Sequence, residues 1–185
     1  MKVKLMADIT VGDIKKITKG KLLCGNEYDI CENFCIDSRE IKSGDVFVGI
    51  KGERVNGNEL YEEVLKKGAK CLILENVEIP EDIIKKFTDS AIIIVEDTIK
   101  ALQQIAEYKR NLYKIPVIAI TGSVGKTSTK DIVAEVVSKK YKVLKTQGNL
   151  NNHIGLPLTI LSLKDEEAMV VELGMSHLGE ISTLT

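Results

Sequence analysis

The stretch VIAITGSVGKTSTK, residues 117–130, decides the reading of this chain. Val117 to Ile120 are apolar and mostly β-branched and read as a strand; a glycine-punctuated loop follows; and from Thr127 to about Lys140 a helix is expected, with Ile132, Val133, Val136 and Val137 on one stripe. Strand, loop and helix in that order is the setting a phosphate-binding loop needs. Gly122 and Gly125 allow successive backbone amides to turn towards a phosphate, the helix N-terminus adds partial positive charge, and Lys126 supplies a full one. Ser123, Val124, Thr127 and Ser128 complete the loop, and the Thr127 hydroxyl suits Mg2+. The usual G-x4-G-K-[ST] spacing would place a glycine at position 120, where Ile120 stands.

Downstream, a strand is expected over Tyr141 to Lys145 and another over Met169 to Leu173, giving three parallel strands after residue 114. Glu172 interrupts the second of these apolar runs near its carboxyl end, the edge at which open α/β sheets hold ligands, and a carboxylate there can hold Mg2+. The loop GNLNNHIG, 148–155, offers Asn149, Asn151 and Asn152 as uncharged donors and acceptors for a polar ligand, although asparagine and glycine are also ordinary turn residues. His153 and His177 are solitary.

Upstream, Pro116 separates the strand at 117 from a helical pattern over Thr98 to Tyr113. Before it come strands at Asp45 to Ile50, Cys71 to Leu74 and Ile92 to Val95, with a helix over Asn58 to Lys70 between the first two. The fold class is therefore α/β: a small N-terminal α/β domain, residues 1–97, read below as the substrate domain from a family resemblance, followed at 98–185 by an incomplete phosphate-loop sheet, parallel and flanked by helices. Three strands are few for such a sheet, and a helix-like segment begins at Gly179 without a stop signal, so the chain is expected to be a fragment.

The 185 residues are 44% hydrophobic and 29% charged, with 26 basic against 27 acidic side chains, so no field suited to nucleic acid arises. No apolar run approaches the roughly 18 residues of a membrane helix, and the start lacks an apolar signal core, which points to a cytoplasmic protein with no membrane insertion. Cys24, Cys31, Cys35 and Cys71 read as free thiols, and two histidines with one C-x3-C pair are a poor basis for a zinc site.

Taken in order, TGSVGKTSTK at 121–130, GNLNNHIGLPLT at 148–159 and VVELGMSHLGEI at 170–181 resemble the ATP-dependent Mur ligases of peptidoglycan synthesis, with the asparagine-rich loop favouring the MurF branch over the MurE branch. The TG-x-x-GKT core with Ile120 before it is that family's form of the loop. Ile36-Asp-Ser-Arg39 and Gly44-Asp-Val-Phe-Val-Gly-Ile-Lys-Gly52 look like the family's uridine-nucleotide-binding domain, while Asn56-Gly57-Asn58 departs from the Asp-Gly-His often found there. The resemblance implies that Ser38 and Arg39 lie near the uridine diphosphate of UDP-MurNAc-tripeptide, although Asp37-Ser-Arg alone reads as a turn. It implies that Lys126 clamps ATP phosphates, that Thr127 and Glu172 hold Mg2+, and that Asn149, Asn151 and Asn152 approach the peptide-bearing substrate. His177 has no role in it. D-alanyl-D-alanine would be the second substrate, joined through an acyl phosphate by a monomeric enzyme whose C-terminal domain is absent here, so that this chain alone is expected to be inactive. The alternatives are another Mur-type amino-acid ligase and a non-catalytic UDP-sugar or nucleotide-binding module; a switch GTPase is disfavoured because no N-K-x-D pattern occurs.

Overall fold

The structure is a computed structural model and describes residues 8–174; His177 and the helix expected near Gly179 lie outside them. The chain divides into two compact units, one formed by residues 8–108 and the other, in its described part, by 109–174. The division falls between Tyr108 and Lys109, inside a helix that begins at Thr98, whereas the sequence suggests a boundary near Asp97. The early turns of this helix belong with the first unit because the Thr98 N–H donates to Glu75 Oε2 at 2.6 Å and Ala101, Leu102 and Ile105 are buried. From Lys109 onward the bonds run to the second unit, with Lys109 Nζ donating to the Leu161 carbonyl at 2.7 Å.

In the first unit the elements are β1 (Ile9–Thr10), α1 (Val11–Thr18), β2 (Lys21–Cys24), β3 (Ile30–Cys31), β4 (Phe34–Cys35), β5 (Val46–Val48), a 3-10 turn (Gly57–Leu60), α2 (Tyr61–Lys66), β6 (Cys71–Glu75), α3 (Glu81–Lys86), β7 (Ala91–Val95) and, as far as Tyr108, α4 (Thr98–Leu112). A five-stranded sheet runs in the order β2-β7-β6-β5-β4, parallel throughout except for β2, which pairs antiparallel with β7 at the edge. β1 and β3 form a separate antiparallel pair. The continuous apolar runs of β6 and β7 follow from burial on both faces, and Phe47, Leu72, Leu74 and Ile92 pack there with Val64 and Leu65 of α2 and Ile83 of α3. Asn58 sits buried beyond β5, where the resemblance finds histidine in other members. Its Oδ1 accepts the Glu75 N–H at 2.9 Å and its Nδ2 donates to Asn56 Oδ1, so it ties the loop after β5 to the end of β6.

The second unit contains β8 (Val117–Ile120), α5 (Lys126–Ser138), β9 (Val143–Lys145), α6 (Gly155–Leu161) and β10 (Ala168–Glu172). Its three strands are parallel, in the order β8-β10-β9, with β10 central and fully buried. The register places Glu172 directly beside Ile120, the last residue of β8. Tyr113, Leu156, Leu163, Met169, Val171 and Leu173 form the core.

One expectation fails in α5. Ile132 and Val136 are each 66% exposed, and the buried residues are Lys130 and Ala134. Val133 and Val137 are half-buried, so the inward face runs through 130, 133, 134 and 137 and the apolar stripe read from the sequence is turned partly out to solvent. The rotation has a cause: α5 packs on β10 and β9, and Lys130 finds a buried acceptor on that side.

Candidate active site

α5 starts at Lys126 with Gly125 as its N-cap in the left-handed region, φ 76°, and no side chain caps its first amides. Gly122 has φ 146°, and a Cβ on either glycine would meet little or nothing, so backbone conformation and not crowding is what demands glycine here. The first-turn N–H groups that a serine or aspartate cap would normally occupy are thus left for a ligand, and the helix dipole favours an anion among them. Lys126 Nζ donates to the Gly122 carbonyl at 2.8 Å, folding the cation over its own loop. Thr121 Oγ1 donates to the Leu173 carbonyl at 3.2 Å, and the Leu173 N–H donates to the Ile120 carbonyl at 2.9 Å, which fixes the loop's entry to the end of β10.

Glu172 is only 3% exposed. Thr127 Oγ1 donates to its Oε2 at 2.9 Å and Asn151 Nδ2 donates to its Oε1 at 2.8 Å, while the Glu172 N–H donates to Thr146 Oγ1 at 3.0 Å. Among the described residues no Lys, Arg or His forms an ion pair with it. A buried carboxylate held by two neutral donors, with a threonine hydroxyl as its neighbour, is a hard oxygen donor pair lacking a counter-charge, which is the chemistry Mg2+ requires. Thr127 and Glu172 therefore fit the ion.

The asparagines divide. Asn151 faces Glu172, and its carbonyl accepts the Gly174 N–H at 2.7 Å. Asn152 is turned to its own chain: its Oδ1 accepts the N–H groups of Ile154 and Gly155, where the chain enters α6. Asn149 is exposed, and its carbonyl accepts the Asn151 N–H at 2.8 Å. Of the residues named from the sequence, the fold brings the loop 122–128, Glu172 and Asn151 together. Ser123, Val124 and Ser128 are exposed along the loop, Val124 at its tip.

Ser38 and Arg39 belong to the first unit, after β4. Ser38 is nearly buried, and its carbonyl accepts Lys67 Nζ at 2.8 Å. The Arg39 guanidinium is exposed and gripped by both oxygens of Asp37, at 2.9 Å from Nε and 2.5 Å from Nη2. That contact holds the Asp37 carboxyl at about 2, below its ordinary 3.8. A depressed acid stays paired above its ordinary range and loses the pair as pH falls from about 4 towards 2. Carboxyl-carbon NMR should therefore show Asp37 titrating near 2, and higher once Arg39→Ala has removed the guanidinium, with the residue-39 N–H that still donates to Oδ1 at 2.9 Å holding it short of the ordinary aspartate value; equal midpoints in both proteins would refute the pairing. The four cysteines are free, and burial raises the thiols of Cys24 and Cys35. The thiol of Cys71 lies well above its usual range through its contact with Cys31 and its burial.

Two residues of this assembly are not legible as functional in the sequence, Thr146 and Lys130. Thr146 is fully buried just past β9, and Lys130 is 3% exposed with Nζ donating to the Thr146 carbonyl at 3.0 Å. The one sequence signal is spacing, since Lys130 lies three residues after Thr127 on the same helix.

A glycine loop between a parallel strand and an uncapped helix, with an acid at the end of the adjacent strand, is the arrangement by which α/β proteins of the phosphate-loop class hold nucleotide phosphates. The Mur ligase catalytic-domain family matches residues 32–110 and the Mur ligase middle-domain family matches residues 120–185, between them most of the sequence, and the chain belongs to the Mur ligase family. It is 37% identical over 179 residues to the UDP-N-acetylmuramoyl-tripeptide–D-alanyl-D-alanine ligase of Bacillus subtilis, an alignment covering 95% of this chain and 38% of that protein. The Escherichia coli enzyme of the same name is 35% identical over 96% of this chain and 37% of its own length. Among solved structures, MurF from Acinetobacter baumannii superposes with a TM-score of 0.83 at 32% identity, covering 97% of this chain and 38% of that one. MurF from Thermotoga maritima in complex with ADP gives 0.73 at 37% identity, over 83% and 34%. The chain thus spans less than two-fifths of the length of these relatives.

Proposed function

We propose that this chain carries the uridine-nucleotide-binding domain, up to about Tyr108, and the first part of the ATP-binding domain, from Lys109 onward, of a MurF-type ligase of peptidoglycan synthesis. The reaction joins D-alanyl-D-alanine to UDP-MurNAc-tripeptide at the expense of ATP. The observation that carries the reading is the juxtaposition of the uncapped loop at 122–128 with the Thr127–Glu172 pair, in a chain whose relatives over the same residues bear that enzyme's name.

In this reading the loop amides and Lys126 bind the β and γ phosphates of ATP, and Lys126 exchanges the Gly122 carbonyl for phosphate oxygen. Thr127 and Glu172 hold Mg2+, which when bound offsets charge on those phosphates. The terminal carboxylate of the tripeptide attacks the γ phosphorus and ADP leaves; the amine of D-alanyl-D-alanine then attacks the acyl carbon, phosphate departs with the bonding pair, and the ammonium proton is lost to solvent or a base. Lys126 acts on the first step by stabilising charge, and it forms no covalent bond. Asn151 keeps Glu172 aimed at the loop, and Asn149 and Asn152 border the side from which the peptide end arrives. Ser38 and Arg39 serve the diphosphate, for which Arg39 must leave Asp37. The enzyme works as a monomer in the cytoplasm; among the described residues no helix is long and apolar enough to cross a membrane.

Calorimetric titration of UDP-MurNAc-tripeptide into the chain tests the substrate assignment. Binding should exceed that of UDP, and Arg39→Ala should weaken it about tenfold or more, the scale of one lost hydrogen-bonded charge pair. A folded chain that binds neither ligand, or an Arg39→Ala variant that binds like the parent, would remove Arg39 from the site.

A further inference from the structure

Lys130 is the most deeply buried ammonium in the described structure, 3% exposed, and nothing in the proposed chemistry uses it. Burying an ammonium costs several kcal/mol unless it is well partnered, so its partners indicate what it is kept for. It has two: the Thr146 carbonyl at 3.0 Å and Asp131 Oδ1 at 3.5 Å, the latter half-exposed and already bonded by Lys145 at 2.9 Å. The buried contact is therefore the one to Thr146.

Thr146 in turn holds β10. Its N–H donates to the Val170 carbonyl at 3.2 Å, and its Oγ1 accepts the Glu172 N–H at 3.0 Å. The main chain of Glu172 is thus fixed by Thr146, and Thr146 is fixed by Lys130. On α5, Thr127 and Lys130 are one turn apart on the same face. Thr127 reaches the Glu172 carboxylate directly, and Lys130 reaches the segment that sets where that carboxylate starts. One face of one helix clamps the same acid at both its head and its backbone.

We infer that Lys130 is a positioning residue for the metal site: through Thr146 it sets the distance between Glu172 and Thr127, and thereby the strength with which the chain holds magnesium-bound nucleotide. The inference rests on the reading of Thr127 and Glu172 as the metal ligands. It assigns Lys130 no contact with nucleotide, which separates its role from that of Lys126. A salt bridge kept only for stability would instead change melting temperature and leave the response to magnesium intact.

The test is titration of ADP into the purified chain with MgCl2 and again with EDTA, the readout being the ratio of the two affinities, with melting temperatures alongside. Lys130→Met, which keeps the stem and deletes the ammonium, should lower that ratio about tenfold, the scale on which groups orienting a metal ligand act. Thr146→Val, an isostere lacking only the hydroxyl acceptor, should do the same, and Thr146→Ser should preserve the ratio. If Lys130→Met fails to fold, Thr146→Val decides. Folded variants that keep the parent ratio, or that lose affinity equally with and without magnesium, overturn the role of Lys130. A parent chain with no magnesium-dependent gain, or a gain that Glu172→Gln leaves untouched, instead defeats the underlying metal assignment, and this inference falls with it.

Discussion

Lys126→Ala should reduce ATP affinity on the order of a hundredfold, the largest single loss expected in the chain. A charge-assisted bond to phosphate is worth about 1.5–3 kcal/mol, and Lys126 would contact two phosphates in a site otherwise built from neutral amides. The substitution should leave melting temperature almost unchanged, because the bond it removes is the half-exposed one from Nζ to the Gly122 carbonyl. Isothermal titration with ATP, paired with thermal melting, reads both quantities. Retained affinity in a folded variant would mean that the loop amides and helix N-terminus suffice, and that the lysine is a solvated side chain lying on a turn.

Glu172→Gln should separate binding from stability in the opposite direction. The native carboxylate is 3% exposed and is held by Thr127 and Asn151, neither of them charged. Such a group costs stability in the absence of a cation, since an ionised carboxylate taken out of water needs a counter-charge. The amide has almost the same shape and no charge to desolvate. The variant's melting temperature in EDTA should therefore equal or exceed the parent's, while the magnesium-dependent gain in nucleotide affinity falls by about tenfold or more as a metal ligand is lost. A variant that melts lower and keeps its magnesium response would make Glu172 a structural acceptor for Thr127.

The parts of the fold legible in the sequence are those whose environment is uniform. β6, β7 and β10 lie inside their sheets and read as apolar runs, broken in β6 and β10 only by the acid at the last position, and β8 follows Pro116 and precedes the glycine loop, so its limits agree with the sequence. The short pieces are missed because of their length and exposure. β1, β3 and β4 are two residues each, too short for any periodicity, and β2 is a half-exposed edge strand paired antiparallel to β7. α6 carries Pro157 in its first turn, where proline is tolerated although it looks like a break. α1 did leave a signal: Thr10 and Asp13 form a reciprocal capping box, a pattern visible in the letters.

The site follows the same rule. Gly122, Gly125, Lys126 and Thr127 are adjacent in sequence, so their spacing alone describes the loop, and Glu172 is betrayed by its place at the end of a buried strand. Asn151 and Asn152 are neighbours of the same type that turn to different tasks, one to Glu172 and the other to the start of α6, and no composition rule distinguishes them. Thr146 and Lys130 are brought to Glu172 only by the pairing of β9 with β10 and the packing of α5, contacts that span 26 and 16 residues of chain.

α5 bears on how such a chain can be redesigned or tolerate drift. Its inner face contains a lysine and its outer face two large aliphatics, so a designer who idealised the helix by hydropathy would exchange Lys130 for leucine and Ile132 for glutamate, and would judge both changes improvements. The first would strip the strand ends of the contact that sets their spacing; the second would alter a surface. In this helix the amphipathic ideal and the working protein pull apart, and homologues sampled for stability alone would drift away from the residue that keeps the acid in place.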